Sequence, residues 1–215
     1  MIITALERQR RQRRLNVFVD GRFALSLALS LVQEKGLHPD MEVTEADLQA
    51  LREEDERRSA YEAALHLLSY RPRSEKEMRF RLGRRGFAPE VVEETVKRLR
   101  RLHYLDDGAF AQFWTERRNS ASPRSRSLIQ SELRFKGIDA ETASSTVEGL
   151  DDEEAAYRAA SKRLPTVAGL SRELFRRRLG GFLTRRGFAY DVVRRTLERC
   201  WSEVGGGSGL SEEDP

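Results

Sequence analysis

Apolar residues recur every three to four positions along most of the chain, a period that predicts amphipathic helices. Three apolar pairs, each four residues apart on one helical face, are Met78 and Leu82, Ile129 and Leu133, and Leu179 and Leu183. Four residues after each pair stands a glycine, and these glycines, Gly86, Gly137 and Gly187, are 51 and 50 residues apart. So regular a period predicts three tandem copies of one structural repeat.

The residues around each glycine predict two helices joined by a tight turn. A basic residue followed by glycine is typical of a helix C-terminus at which glycine adopts the left-handed conformation. The next residue, Phe87 in the first repeat, can then pack on an apolar residue such as Val92 as a hydrophobic staple. Pro89 falls at the first position of the following helix, where its missing N–H is not needed.

Upstream of the glycine, the first two repeats share a Pro-Arg-Ser motif, at 72–74 and 123–125. Ser74 with Glu77 forms a predicted capping box, so a helix begins there, and a further amphipathic stretch before each proline makes three helices per repeat. The third repeat carries Arg-Glu-Leu at 172–174 instead. Terminal repeats diverge because one side lacks a neighbour.

The N-terminal region differs in character. Short apolar runs flank Asp20 and Gly21, a pair that predicts a β-hairpin. We expect a helix containing Leu27, Leu29, Leu31 and Val32 and ended by Gly36, and a second helix from about Thr44 to Arg58, capped by Thr44 and Asp47.

The predicted fold class is all-α: tandem three-helix-bundle repeats in an elongated, curved molecule, with a small N-terminal extension containing a β-hairpin. The predicted divisions are the extension at 1–58, repeat 1 at 59–105, repeat 2 at 106–150, repeat 3 at 151–204 and a disordered tail at 205–215.

Composition excludes two broad classes of protein. Of the 215 residues, 39% are hydrophobic, too many for a disordered chain and too few for a membrane protein. No apolar run approaches the roughly 18 residues that a bilayer crossing requires, and the N-terminus lacks an apolar signal core. We therefore expect a cytoplasmic protein with no membrane association.

The candidate chemistry argues against an enzyme. One cysteine, Cys200, and three scattered histidines provide neither a disulfide framework nor a metal-ligand cluster, and no phosphate loop or nucleophile motif is present. The adjacent acids at 106–107 and 151–152 are best interpreted as helix N-caps. We expect no catalytic residue, cofactor or metal.

Positive charge is concentrated in segments. The chain has 39 basic and 35 acidic residues, a net charge of +4, and 34 of the basic residues are arginine, which binds phosphate bidentately. Basic stripes on a repeat scaffold could follow a polyanion through phosphate contacts, although an ordinary solvated surface or a codon bias toward arginine also produces such stripes. The candidate contacts are Arg10, Arg11, Arg13, Arg14, Arg73, Arg84, Arg85, Lys97, Arg101, Arg117, Arg118, Arg124, Arg126, Arg185 and Arg186. We assign the aromatic residues Tyr104, Phe113 and Trp114 to the core.

Residues 67–87, LLSYRPRSEKEMRFRLGRRGF, followed by LHYLDDGAFA at 102–111, resemble the RecX regulatory family. The glycine turns of the other repeats and, more loosely, VFVDG at 17–21 extend this resemblance over most of the chain. The resemblance implies a protein that lies in the groove of the RecA recombinase filament on single-stranded DNA. It also implies that the protein limits filament growth and lowers recombinase and coprotease activity without catalysis, with roles in homologous recombination, DNA repair and the SOS response.

Two other functions remain open from the residues alone. One is sequence-independent binding of single-stranded or duplex DNA, with competition for the strand as its indirect effect on a filament. The other is a helical scaffold that joins protein partners. We expect a monomer.

Overall fold

The computed structural model describes residues 1–10 and 13–205. Arg11, one of the candidate contacts, and residues 206–215 of the predicted disordered tail lie outside the described residues. The chain divides into two compact units: unit 1 comprises residues 1–71 and 78–104, and unit 2 comprises residues 72–77 and the chain from residue 105 onward. Helices predominate in both units, as the apolar periodicity predicts.

Unit 1 begins with a three-stranded antiparallel sheet in the order β1-β2-β3, formed by β1 (Ile3–Arg8), β2 (Arg14–Val19) and β3 (Arg22–Ala28). Asp20 and Gly21 connect β2 to β3 with φ angles of 48° and 77°, the two positive values that a tight hairpin turn requires. The predicted hairpin is therefore confirmed. Strand β1 was not expected from the sequence.

One face of the sheet is covered by the two helices that follow it. Val17 and Leu27 point into a core shared with Leu31 and Leu48 from helices α1 (Leu29–Glu34) and α2 (Glu45–Tyr70). The expectation that Leu27 belongs to a helix is wrong, because Leu27 pairs with Leu15 of β2 and lies in β3. The left-handed Gly36, with φ 62°, lies just beyond α1, where the sequence predicts the helix to end.

Helix α2 is much longer than the sequence predicts. Thr44 and Asp47 form the expected capping box, but the predicted end near Arg58 is wrong, because the helix continues without a break to Tyr70. No glycine or proline interrupts the chain between residue 45 and Pro72, so nothing in this segment stops the helix.

The rest of unit 1 is formed by α3 (Glu75–Gly83), whose first turn belongs to unit 2, and α4 (Pro89–Arg101). Pro89 occupies the first helical position, as expected. Met78, Leu82 and Val96 are buried, in agreement with the apolar stripes.

Unit 2 contains the helices of the second and third repeats. These are α5 (Asp107–Ala121), α6 (Arg126–Phe135), α7 (Ala140–Val147), α8 (Asp152–Ser161), α9 (Arg172–Thr184) and α10 (Tyr190–Gly205), with a short 3-10 turn at Leu164–Thr166. Each repeat has its own core, centred on Phe110, Ile129 and Leu133 in one and on Phe175, Leu179 and Leu183 in the other. Tandem three-helix repeats are thus confirmed.

Candidate interaction surface

The candidate contacts divide into exposed side chains and side chains engaged within the fold. Exposed candidates in unit 1 are Arg10, Arg13, Arg84, Arg85, Lys97 and Arg101, and exposed candidates in unit 2 are Arg117, Arg126 and Arg185. Their charged ends are accessible to a partner. The other described candidates lie at least partly inside the protein: Arg14, Arg73, Arg118, Arg124 and Arg186.

Arg14 and Arg73 are engaged in internal ion pairs. Arg14 lies 2.6 Å from Asp55, a buried carboxylate whose other oxygen accepts the N–H of Ala28 at 2.7 Å. Arg73 is itself buried and lies 2.5 Å from Glu77. Both arginines therefore stabilise the fold, since removing one member of such a pair leaves a buried charge uncompensated.

Two more candidates, Arg118 and Arg124, belong to one half-buried cluster in unit 2. The Trp114 indole N–H and the Arg118 Nε both donate to the same oxygen of Glu132, each at 2.8 Å, and Arg124 donates to the other oxygen. The ammonium of Lys136 lies 3.9 Å from the Trp114 ring centre, and the Arg118 guanidinium lies 4.3 Å from it. Burial lowers the pKa of Arg118 and, together with the charge of Arg118, that of Arg124.

The last candidate, Arg186, belongs to a contact between the second and third repeats. Ser125 N–H donates to the Arg186 carbonyl at 3.0 Å, and the Arg186 guanidinium donates to the Pro123 carbonyl at 2.9 Å. Gly187 has φ 84°, and a Cβ there would lie 2.5 Å from Ser125 Oγ and 2.8 Å from Leu128 Cβ. Glycine is therefore required both for its conformation and for this close approach.

The first Pro-Arg-Ser motif makes the same type of contact with the turn of the second repeat. Ser74 Oγ donates to the Lys136 carbonyl at 2.7 Å, and Lys76 Nζ donates to the Phe135 carbonyl at 2.8 Å. A Cβ on Gly137 would lie 2.6 Å from Lys76 Cβ. We use the term repeat clasp for a Pro-Arg-Ser segment together with the basic-glycine turn of the next repeat.

Aspartate pairs at 106–107 and 151–152 complete both clasps. The first aspartate of each pair caps its own helix, because Asp106 accepts from Ala109 N–H at 2.9 Å and Asp151 accepts from Glu153 N–H at 2.8 Å. The capping interpretation is confirmed for both.

The second aspartate of each pair caps a helix of the preceding repeat. Asp107 accepts from Glu75 N–H at 2.9 Å, at the start of α3, and Asp152 accepts from Arg126 N–H at 2.8 Å, at the start of α6. An acid at a helix N-terminus also interacts favourably with the helix dipole.

The three repeats carry different parts of a clasp. Around Gly86, the turn of the first repeat, no atom lies within 4 Å of an added Cβ in the described part of the chain. The third repeat carries Arg-Glu-Leu at 172–174 in place of Pro-Arg-Ser. Each of the two Pro-Arg-Ser segments contacts the basic-glycine turn of the repeat that follows it.

Several exposed aromatic residues were not singled out from the sequence. Phe135 is 80% exposed and Tyr190 is 82% exposed. The assignment of Tyr104 to the core is wrong, since it is 57% exposed, whereas Trp114 packs on the core of the second repeat. Phe135 lies two residues beyond the buried Leu133, so its departure from the apolar stripe was a signal of exposure.

Burial raises the pKa of the Cys200 thiol to about 11, which keeps it protonated and unreactive near neutral pH. Among residues 1–10 and 13–205, no group of three or more His, Cys, Asp or Glu side chains is placed to hold a metal ion. No helix within these residues is both long and apolar enough to cross a membrane.

Four domain models of one family match the chain in order. They are described as the N-terminal domain of regulatory protein RecX (residues 1–44) and the first, second and third three-helix domains of RecX (residues 60–99, 106–146 and 151–197). The matches coincide with the sheet region and the three helical repeats.

Curated relatives and solved structures agree with these matches. "Regulatory protein RecX" of Bacillus licheniformis is 31% identical over 91% of this chain and 76% of its own length, and that of Amycolatopsis mediterranei is 32% identical over 70% of this chain and 90% of its own. A crystal structure of regulatory protein RecX aligns with a TM-score of 0.61 and 25% identity over 92% of this chain and 98% of that one. RecX from Lactobacillus salivarius shares the fold, with a TM-score of 0.56 over 68% of this chain and 97% of that one. The chain belongs to the RecX family of regulatory proteins.

Proposed function

We propose that this protein binds the RecA recombinase filament, limits filament growth and lowers recombinase and coprotease activity without catalysing a reaction. The observation that carries the proposal is family membership along almost the whole chain, from the N-terminal domain through all three helical domains. We place this activity in the cytoplasm and expect the protein to act as a monomer.

Two kinds of exposed side chain support a contact that combines protein and DNA. Arginines such as Arg117 and Arg126 present accessible guanidiniums that can contact phosphates of the DNA within a filament. Phe135 and Tyr190 present aromatic rings to solvent, and aromatic residues are enriched among those that carry the binding energy of protein interfaces. A binding mode in which the aromatic residues contact RecA and the arginines add contacts to DNA phosphates would use both kinds of side chain.

The exposed arginines also favour a second function, sequence-independent binding of single-stranded or duplex DNA. In that case any effect on a recombinase would be indirect, through competition for the strand. The two functions differ in stoichiometry, because competition requires the DNA lattice to be largely occupied.

The test is DNA-dependent ATP hydrolysis by RecA, measured while this protein is titrated from far below one molecule per RecA subunit up to saturation of the DNA. Filament binding predicts inhibition at the substoichiometric end. Inhibition that begins only when the protein covers the DNA would support competition. No inhibition at any ratio would contradict both functions and favour a scaffold role.

A control separates assembly from hydrolysis. The protein is added either before RecA meets the DNA or to filaments that are already complete, at the same final concentrations. A protein that limits filament growth inhibits more strongly in the first order of addition.

A further inference from the structure

The third repeat contains a cavity that neither clasp uses. Its volume is about 440 Å³, within the usual range of about 300–1,000 Å³ for small-molecule sites. Leu179 and the buried Val167 contribute apolar wall, and Phe182 contributes a half-buried ring. Four arginines line the same cavity: Arg163, Arg177, Arg178 and Arg185.

The arginines come from two separate segments of the chain. Arg178 and Phe182 are four residues apart on α9, and Arg185 follows Phe182 by three residues as the C-cap of this helix, so the three lie on one face. Arg163 comes from the residue before the 3-10 turn, and its guanidinium lies 5.2 Å from the Phe182 ring centre. The guanidinium of Arg186 lies 4.4 Å from the same ring. Positive charge thus reaches this ring from both segments.

This concentration of positive charge is not neutralised within the described part of the chain. Glu173 is the single acidic residue between Glu154 and Asp191 in the sequence. No carboxylate of the described residues lies within 4 Å of the four guanidiniums that line the cavity. Burial and, to a smaller extent, the nearby charge of Arg163 lower the pKa of Arg186, whose guanidinium lies beside the same ring.

We propose that this cavity binds a compact polyphosphate anion, such as an inorganic or nucleotide triphosphate. Guanidiniums donate pairs of hydrogen bonds to phosphate oxygens, and several of them around one concave site match an anion that carries several charges within a small volume. A nucleic-acid backbone, by contrast, carries one charge per phosphate along a line. The site depends only on the third repeat, so it can bind its ligand whether or not the protein acts on RecA.

The test is calorimetric titration of the full-length protein with inorganic triphosphate, and separately with a short thymidine oligonucleotide, at constant ionic strength. We expect one triphosphate site per chain. Arg178→Gln removes one guanidinium from the cavity and should weaken triphosphate binding by about tenfold, the size expected for a lost charge-assisted hydrogen bond. Arg163→Gln should weaken it similarly, although it lies on the other segment.

Arg176→Gln is the matched control. Arg176 is exposed on α9, two residues from Arg178, and does not line the cavity, so the substitution removes the same charge from the same helix. Triphosphate affinity should change by less than about twofold, the effect of one exposed charge outside the site. Equal weakening by Arg176→Gln and Arg178→Gln would overturn the proposal, as would an oligonucleotide that binds while triphosphate does not. Far-UV circular dichroism confirms that each variant is folded.

Discussion

At the scale of single residues, clusters of arginine in the sequence do not show which arginines are exposed and which are paired inside the fold. The structure distinguishes the two kinds. Arg124 and Arg126 are two residues apart in the sequence, yet Arg124 is half-buried against Glu132 and Arg126 is exposed. The sequence does not predict this distinction, because Glu132 is eight residues from Arg124 and its partners depend on how α5 and α6 pack. The exposure of the other candidates cannot be predicted from the sequence either, because it depends on which helical face the neighbouring elements cover.

The pair Arg124 and Arg126 therefore provides a matched test at this scale. Arg126→Glu reverses an exposed charge, so we expect helicity and stability to be retained while affinity for RecA filaments falls by about fivefold, roughly the 1 kcal/mol of one exposed ionic contact. Fluorescence anisotropy of filaments on labelled single-stranded DNA measures this change. Unaltered affinity would show that Arg126 is an ordinary solvated residue.

Arg124→Glu should instead weaken folding. The new carboxylate would face Glu132, which would also lose an ion-pair partner, and we expect a loss of about 2 kcal/mol in the free energy of unfolding. Urea unfolding followed by tryptophan fluorescence is a suitable measurement, because Trp114 donates directly to Glu132. Equal stability of the two variants would contradict the structural role of Arg124.

At the scale of elements, the sequence predicts what is determined locally and misses what depends on distant partners. The hairpin at Asp20 and Gly21 and the left-handed glycines of the repeats follow from the preferences of a few adjacent residues. The repeat clasps could not be predicted, because Ser74 and Lys136 are 62 residues apart. The Pro-Arg-Ser motif was therefore interpreted as a helix start alone, which is only half of its role.

The glycine turns provide the test of the clasp. Gly86→Ala and Gly187→Ala place alanine at similar positive φ angles, 90° and 84°, but only the second would bring its Cβ into close contact with another repeat. We expect Gly86→Ala to cost about 1–2 kcal/mol for the left-handed conformation. Gly187→Ala should cost a further 1–3 kcal/mol, because Ser125 and Leu128 must move.

Far-UV circular dichroism during urea unfolding measures both costs, because helices of both units contribute to it. Gly137→Ala, whose Cβ would meet Lys76, should resemble Gly187→Ala. Equal destabilisation by all three substitutions would mean that the clasp contact adds nothing to the conformational cost.

At the scale of the whole molecule, the repeats have a direction. The first repeat has a Pro-Arg-Ser segment, the second has both that segment and a turn that receives one, and the third has the receiving turn alone. In repeat proteins, the free energy of unfolding is approximately the sum of the stabilities of the single repeats and of the contacts between neighbouring repeats, such as these clasps. The net charge of +4 is the difference between 39 basic and 35 acidic residues rather than the charge of one basic arm.

The salt dependence of binding tests whether the protein contacts mainly RecA or mainly DNA in a filament, because phosphate contacts and protein contacts respond differently to ionic strength. Binding led by phosphate contacts loses about 10³-fold or more in affinity between about 50 and about 200 mM salt, since counterions are released from the DNA. If protein contacts lead, the concentration of this protein needed to inhibit half of the RecA ATPase should rise by less than about tenfold over that range. RecA alone, assayed at each salt concentration, corrects for the salt response of the filament itself. Arg126→Glu should reduce the slope by about one if Arg126 contacts a phosphate. A steep dependence in the unsubstituted protein would instead favour direct competition for DNA.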